Sequence, residues 1–270
     1  MQALSSGEWR YATLLTPQGR MLTDMRVFEL GDSTLVDLPI ETTEAIREHL
    51  DKFIITEDVI VEDMTGDWAQ VGLYGPDAGT LIETIRGGDA PAPLHALPSD
   101  DLGVAGVDLI VARDRADAFV EALEKAGASP VALEALEVTR VEAGIPRFPV
   151  DMDTTTIPLE AGIEDRAISL TKGCYVGQEV IIRVLHRGGG RVAKKLVKLE
   201  AGDEAIASGD AVRAGDREIG RITSAVHSPQ SGRWIALAYL HRDFLEPGTL
   251  VEVITGSGPT AATVQPAQTP

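Results

Sequence analysis

From Arg191 to Val253 the chain runs through short apolar segments separated by turn residues, and no stretch there carries a helical period. Ala214-Gly215-Asp216, Ser228-Pro229-Gln230-Ser231-Gly232 and Glu246-Pro247-Gly248 punctuate these segments with residues of preset or permissive φ. The pattern predicts a small all-β domain over residues 191–255, read as a barrel. Residues 256–270 are almost entirely Gly, Ser, Thr, Ala, Pro and Gln, which predicts a disordered tail.

The N-terminal part has a different rhythm. Tyr11–Leu15, Met21–Glu29 and Thr34–Asp37 read as three strands of a small antiparallel sheet, with Thr16-Pro17-Gln18-Gly19 as a turn. From residue 41 helices and strands alternate. Helical spacing covers Glu41–Phe53, strands are read at Ile54–Asp63 and Trp68–Tyr74, and a helix opens at Asp77 after Gly75-Pro76. Gly87–Asp101 reads as a loop, Val104–Val111 as a strand, Arg115–Ala126 as a helix and Val131–Ala143 as another. A chain of 270 residues holds two domains and a small third.

Composition removes several classes of function. Asp and Glu total 42 against 24 Lys and Arg, a net charge of −18, so general affinity for a nucleic-acid backbone is not expected. The single cysteine, Cys174, excludes an intramolecular disulfide and a metal centre held by four cysteines of one chain. Residues 1–10 contain Glu8 and no apolar core, and no run approaches about 18 apolar residues, so neither a secretory leader nor a membrane span is read. The expectation is a soluble cytoplasmic protein.

Three clusters carry candidate chemistry. Lys172-Gly173-Cys174-Tyr175-Val176-Gly177-Gln178-Glu179 holds the only thiol, two glycines and further polar groups in eight residues. If Val180–His186 is helical, Cys174 sits just before a helix N-terminus, where N–H groups favour an anion. In Thr139–Gly144, alternation puts Arg140 and Glu142 on one side, a pair suited to the amidine-like edge of a heterocycle. Asp24 falls on the same strand face as Leu22 and Arg26 and is a candidate general acid or base. Asp151 and Asp153 are read as caps or a cation site. Between Val180 and Leu199 lie Arg183, Arg187, Arg191, Lys194, Lys195 and Lys198 without an acidic residue, a basic strip suited to an anionic partner.

The Lys172–Glu179 stretch resembles the signature of the YgfZ family, folate-binding proteins related to the glycine-cleavage T-protein (aminomethyltransferase). Thr16–Met21, Leu35–Pro39, Gly75-Pro76, Arg140–Pro146 with Asp151 and Pro158–Glu160, and His186–Gly188 follow in the family's order. The resemblance implies an α+β, T-protein-like folate-binding fold with a ferredoxin-like insert and a C-terminal β-barrel. The implied folate-binding domain is made of residues 1–40 and 128–190, around an insert at 41–127. It implies a tetrahydrofolate site with Glu142 on the pterin edge, lined by Arg140, Lys172, Tyr175 and Gln178, with Cys174 as the essential thiol and no metal. The implied role is assembly or repair of iron–sulfur proteins, and through them tRNA modification, with client proteins met at Cys174 and the strip Arg183–Lys198.

T-proteins are longer, lack the cysteine signature, and carry paired aspartates where this chain has Thr23-Asp24. Retention of Asp24 keeps folate-dependent aminomethyl transfer as the alternative.

Overall fold

The computed structural model describes residues 4–86, 93–187 and 189–266. The chain divides into two compact units, one of Met1–Ile46 with Val141–Pro270 and one of Arg47–Arg140.

The first unit opens with β1 (Trp9–Leu15), β2 (Met21–Glu29) and β3 (Thr34–Asp37), an antiparallel sheet in the order β1-β2-β3. The β1–β2 turn closes as expected: Thr16 N–H donates to the Arg20 carbonyl at 2.8 Å, and Gly19 takes φ +73°. Helix α1 (Thr43–Asp51) follows, and the boundary between the units falls within it.

The second unit holds β4 (Trp68–Tyr74), α2 (Ala78–Arg86), β5 (His95–Ser99), β6 (Gly106–Ala112) and α3 (Ala116–Lys125). Its sheet order is β4-β6-β5, antiparallel throughout, the ferredoxin-like arrangement of a split β-α-β. Phe119 and Leu123 of α3 and Ile82 and Ile85 of α2 cover Leu109 and Val111 of β6. Two expectations differ here. Ile54–Asp63 forms no strand, because its amides go to local acceptors: Glu57 takes the Ile55 and Thr56 N–H groups at 2.9 and 3.0 Å. Part of the expected Gly87–Asp101 loop is strand β5, where Pro98 is tolerated because β5 is an edge strand; residues 87–92 lie outside the described residues.

The chain then forms α4 (Leu133–Ala143), two short helices α5 (Pro158–Ala161) and α6 (Glu164–Ala167), and α7 (Gln178–Arg187). Strands β7 (Lys194–Ala201), β8 (Ala211–Ala214), β9 (Arg217–His227), β10 (Trp234–His241), β11 (Leu250–Thr255) and β12 (Gly258–Gln265) complete it. These six close into a barrel in the order β10-β7-β12-β11-β8-β9. The barrel is legible in the sequence, but the tail is not. Residues 258–265 are β12, held by β11 on one side and β7 on the other, with Ala262 and Val264 buried in the core. Small and polar residues suit a strand whose outer face meets water while alternate positions point inward. Residues 267–270 of the expected tail lie outside the described residues.

β10 is buried on both faces. Ala236, Ala238 and Leu240 enter the barrel core, and Leu237 and Tyr239 are buried too. Asp151, itself 2% exposed, accepts from the Thr223 hydroxyl, from the Ser224 hydroxyl at 2.7 Å and from the Arg147 N–H at 3.0 Å. Asp153 takes the Thr155 N–H at 2.7 Å and the Thr155 and Thr156 hydroxyls. Both aspartates are therefore anchors, and among the described residues no group of three or more acidic, His or Cys side chains is arranged for a metal.

Burial holds the Tyr239 phenol far above the ordinary tyrosine range, and the charges of Glu160, Asp151 and Asp153 add to this. The Thr156 hydroxyl lies beside it but makes no bond of good geometry. Because the folded-state pKa is raised, the folded protein keeps a proton that the unfolded chain loses above about pH 10. The associated stability is complete below that pH and falls as pH rises through it. In urea unfolding, Tyr239→Phe is expected to equal or exceed wild type near neutral pH, since an unsatisfied buried hydroxyl is removed. It should also lose stability less steeply at alkaline pH; parallel pH dependences would contradict the assignment.

Candidate functional site

Glu142 lies in the last turn of α4. Its Oε1 is buried and has no hydrogen-bond partner among the described residues. A carboxylate oxygen in that state is costly unless a donor reaches it. Lys198 of β7 approaches from the barrel, its ammonium donating to the Glu142 backbone carbonyl at 3.0 Å. That carbonyl is among those a helix C-terminus leaves unpaired, so Lys198 caps α4 while placing a positive charge near the carboxylate. Burial lowers the Lys198 pKa, and the charges of Glu200 and Glu142 oppose that shift.

Arg140 does not share the side of Glu142. The expectation assumed strand alternation, but on a helix two residues apart is about 200° of rotation. Arg140 is 3% exposed and forks onto Glu137, its Nε donating to Oε2 at 2.8 Å and its Nη2 to Oε1. The helix therefore separates Arg140 from Glu142, and the cation brought to the end of α4 is Lys198.

Asp24 is half-buried on β2 and accepts from the Tyr11 hydroxyl of β1 at 2.9 Å. Tyr11 sits opposite Arg26, two positions along from the Asp24 partner Thr13, which is the diagonal reach a long side chain spans. The Arg166 guanidinium covers the Tyr11 ring, 4.8 Å from its centroid. Arg26, on β2, pairs with Asp37 of β3.

Lys172, Cys174, Tyr175 and Gln178 come together in the loop entering α7. The Lys172 ammonium lies 4.7 Å from the Tyr175 ring centroid, and the Gln178 N–H donates to the Tyr175 carbonyl at 3.2 Å. The Tyr175 hydroxyl is buried without a partner among the described residues, and burial raises its pKa. Cys174 is exposed. It is not immediately before the helix, since Tyr175, Val176 and Gly177 separate it from α7. Gly177 fixes the loop against the β1–β2 turn. It takes φ +83°, and a Cβ there would lie 2.6 Å from the Thr16 carbonyl oxygen and 3.1 Å from the Gly19 Cα.

The basic strip is not one surface. Lys195 pairs with Glu164 at 2.8 Å, Lys198 turns to Glu142, and the Lys194 ammonium lies 4.6 Å from the Tyr239 ring centroid. Arg183 and Arg191 are exposed; the Arg187 side chain lies outside the described residues. The run is divided between helix α7 and strand β7, so its cations point to different neighbours. Tyr11, Arg166 and Lys198 were missed as site residues. Only Lys198 gave a signal, a lysine on a strand that also carries barrel core residues.

The comparisons with known proteins place the fold in a family. An aminomethyltransferase from Rubrobacter xylanophilus is 32% identical over 253 residues, covering 88% of this chain and 67% of that protein. The chain belongs to the aminomethyltransferase family. The family description "Glycine cleavage T-protein C-terminal barrel domain" matches residues 194–269. An aminomethyltransferase from Rippkaea orientalis is 26% identical, covering 94% of this chain and 73% of that protein. The crystal structure of glycine cleavage system aminomethyltransferase T from Bartonella henselae superposes with a TM-score of 0.82 over 97% of this chain and 76% of that one. At 20% identity that structure shows the fold, which is T-protein-like with a closed six-stranded barrel. Among the described residues no helix is long and apolar enough to cross a membrane.

Gly177→Ala is expected to cost about 1–3 kcal/mol, because positive φ and a backbone clash act together. Gly173→Ala, where a Cβ meets nothing within 4 Å, is the control and should change stability by about 0.5 kcal/mol or less. Denaturant unfolding of the two variants decides it; equal stabilities would remove the packing role of Gly177.

Proposed function

We propose that this member of the aminomethyltransferase family binds tetrahydrofolate and transfers a one-carbon unit. The observation that carries the reading is the buried, unpartnered Oε1 of Glu142 in a chain 32% identical to an aminomethyltransferase. The residues fit a pterin. Its amino and ring N–H groups form a donor edge, and Glu142 offers a desolvated acceptor for it. Lys198 is a positioning residue: it fixes the end of α4 and keeps a cation beside the carboxylate. Asp24, oriented by the Tyr11 hydroxyl, holds a proton-accepting oxygen for a folate nitrogen. When bound, tetrahydrofolate supplies the nitrogen nucleophile that receives the carbon, and the chain's own groups orient it and manage protons.

The substrate under this reading is an aminomethyl group on a lipoyl carrier, in line with the name of the relatives. The test is formation of methylene-tetrahydrofolate from such a carrier. Wild type should turn over, Asp24→Asn should lose roughly 10²-fold or more in rate, and Cys174→Ala should keep its rate. Lys198→Met should weaken tetrahydrofolate binding by about tenfold, with Lys198→Arg recovering part of it.

One observation favours a second reading: the exposed thiol of Cys174 in its Lys172–Glu179 loop. In that reading the protein is a folate-binding accessory factor for iron–sulfur proteins of the YgfZ type, and tRNA modification depends on it indirectly. A cluster held by one thiol per chain would be shared with a client. Folate binding without turnover, together with failure of Cys174→Ala to restore iron–sulfur enzyme activity in a deletion strain, would replace the transferase reading with this one.

A further inference from the structure

Among the described residues, the sheet of the second unit has no strand at the position where its topology calls for a fourth. The order β-α-β-β-α is completed in ferredoxin-like folds by a last strand that pairs with the first. Here α3 is followed by Ala128, which packs on the core, and then by Ser129–Leu133, all exposed, with Pro130 among them. No strand among the described residues pairs with the outer edge of β4.

The two edges of this sheet are treated differently. β5 is five residues long and carries Pro98, which blunts it against further pairing. β4 is seven residues long, Trp68-Ala69-Gln70-Val71-Gly72-Leu73-Tyr74, with no proline, no charge and no register shift against β6. Trp68 is closed off, its N–H bonded to the Met64 carbonyl and its carbonyl to the Arg113 side chain; past it the edge lacks the usual protection and is a template for another strand.

The chain leading into β4 adds apolar surface. Phe53, Ile55, Val59 and Ile60 are 64%, 84%, 55% and 83% exposed, four of the most outward apolar side chains in the described residues. Within this segment the Glu57 carboxylate closes a turn on the Ile55 and Thr56 amides. Backbone N–H bonds hold the Glu57 pKa below its ordinary value. Arg113 secures the entry to β4 by donating to the carbonyls of Thr65, Gly66 and Trp68.

Charge selects the occupant. In the chain leading into β4, from Phe53 to Asp67, there are five acidic residues, Glu57, Asp58, Glu62, Asp63 and Asp67, and no Lys, Arg or His, whereas Glu83 lies beside Ala96 and Pro98 of the opposite edge. A second copy of the chain would bring the same acids against them, in a molecule of net charge −18. We propose that the outer edge of β4 is a docking site for an extended basic segment of a partner protein, which adds a strand to the sheet and sets apolar residues against Ile55 and Ile60. The main chain supplies the ladder, and the flanking acids supply selection for Lys and Arg. This surface is independent of the folate site and of the transferase reading.

The test uses the full chain and a fluorescein-labelled dodecapeptide alternating Lys with Val and Thr, alongside the same peptide N-methylated at alternate residues. The methylated peptide keeps its charge but cannot form a ladder. The unmodified peptide should bind saturably and protect the amides of residues 69–74 from hydrogen exchange. Affinity should fall about tenfold or more for the methylated peptide, and likewise for the Asp58→Lys, Glu62→Lys protein. Absence of binding, equal affinity of both peptides, or protection outside β4 would overturn the proposal. So would self-association of the chain through β4 that excludes the peptide.

Discussion

The carboxylate of Asp151 sits almost wholly out of water, and much of the first unit is arranged around satisfying it. Taking an ionised carboxylate out of water costs several kcal/mol unless donors surround it. Three do: the Thr223 and Ser224 hydroxyls of β9 and the Arg147 amide. Through these bonds the turn that follows α4 is tied to the barrel wall. The same wall, one strand past β10, carries Lys198 to the end of α4. The position of the Glu142 carboxylate thus depends on the barrel, and the barrel's outer face depends on the chain that carries Glu142.

A second constraint is steric. Gly177 and Gly19 bring the α7 loop and the β1–β2 turn closer than side chains would permit. The loop bearing Lys172, Cys174 and Tyr175 is thereby registered against the hairpin whose second strand bears Asp24. Among the described residues, the buried polar side-chain atoms without hydrogen-bond partners are Glu142 Oε1 of α4, Glu164 Oε2 of α6, the Tyr175 hydroxyl of this loop and the Tyr239 hydroxyl of β10.

Much of this was legible in the sequence, for reasons that can be stated. Turn residues at short intervals after Arg191 announced the barrel, because strand ends need special φ and the runs between them are β-formers. The signature Lys172–Glu179 resembles YgfZ proteins whereas the relatives are aminomethyltransferases, so what it made legible is the T-protein-like fold the two share. Other features were hidden. Residues 258–265 read as a tail because their strand character comes from two neighbours and not from composition. Ile54–Asp63 has strand-like residues, yet the Glu57 side chain captures its amides. Arg140 and Glu142 were paired by a period of two, and the helix separates them. Lys198 was read as part of a charged strip, whereas its partner, the Glu142 carbonyl, is 56 residues away in the chain. Local pattern shows which residues can form an element; it does not show which distant backbone group a long side chain will reach.

The central claim is that Glu142 recognises a pterin through its buried oxygen. The direct measurement is an anaerobic calorimetric titration of tetrahydrofolate into wild type and Glu142→Ala. Saturable binding to wild type, weakened in the variant by about 1.4 kcal/mol or more, a factor of ten in affinity, is the predicted result. Equal binding to both proteins, or no binding to folded wild type, would contradict the claim.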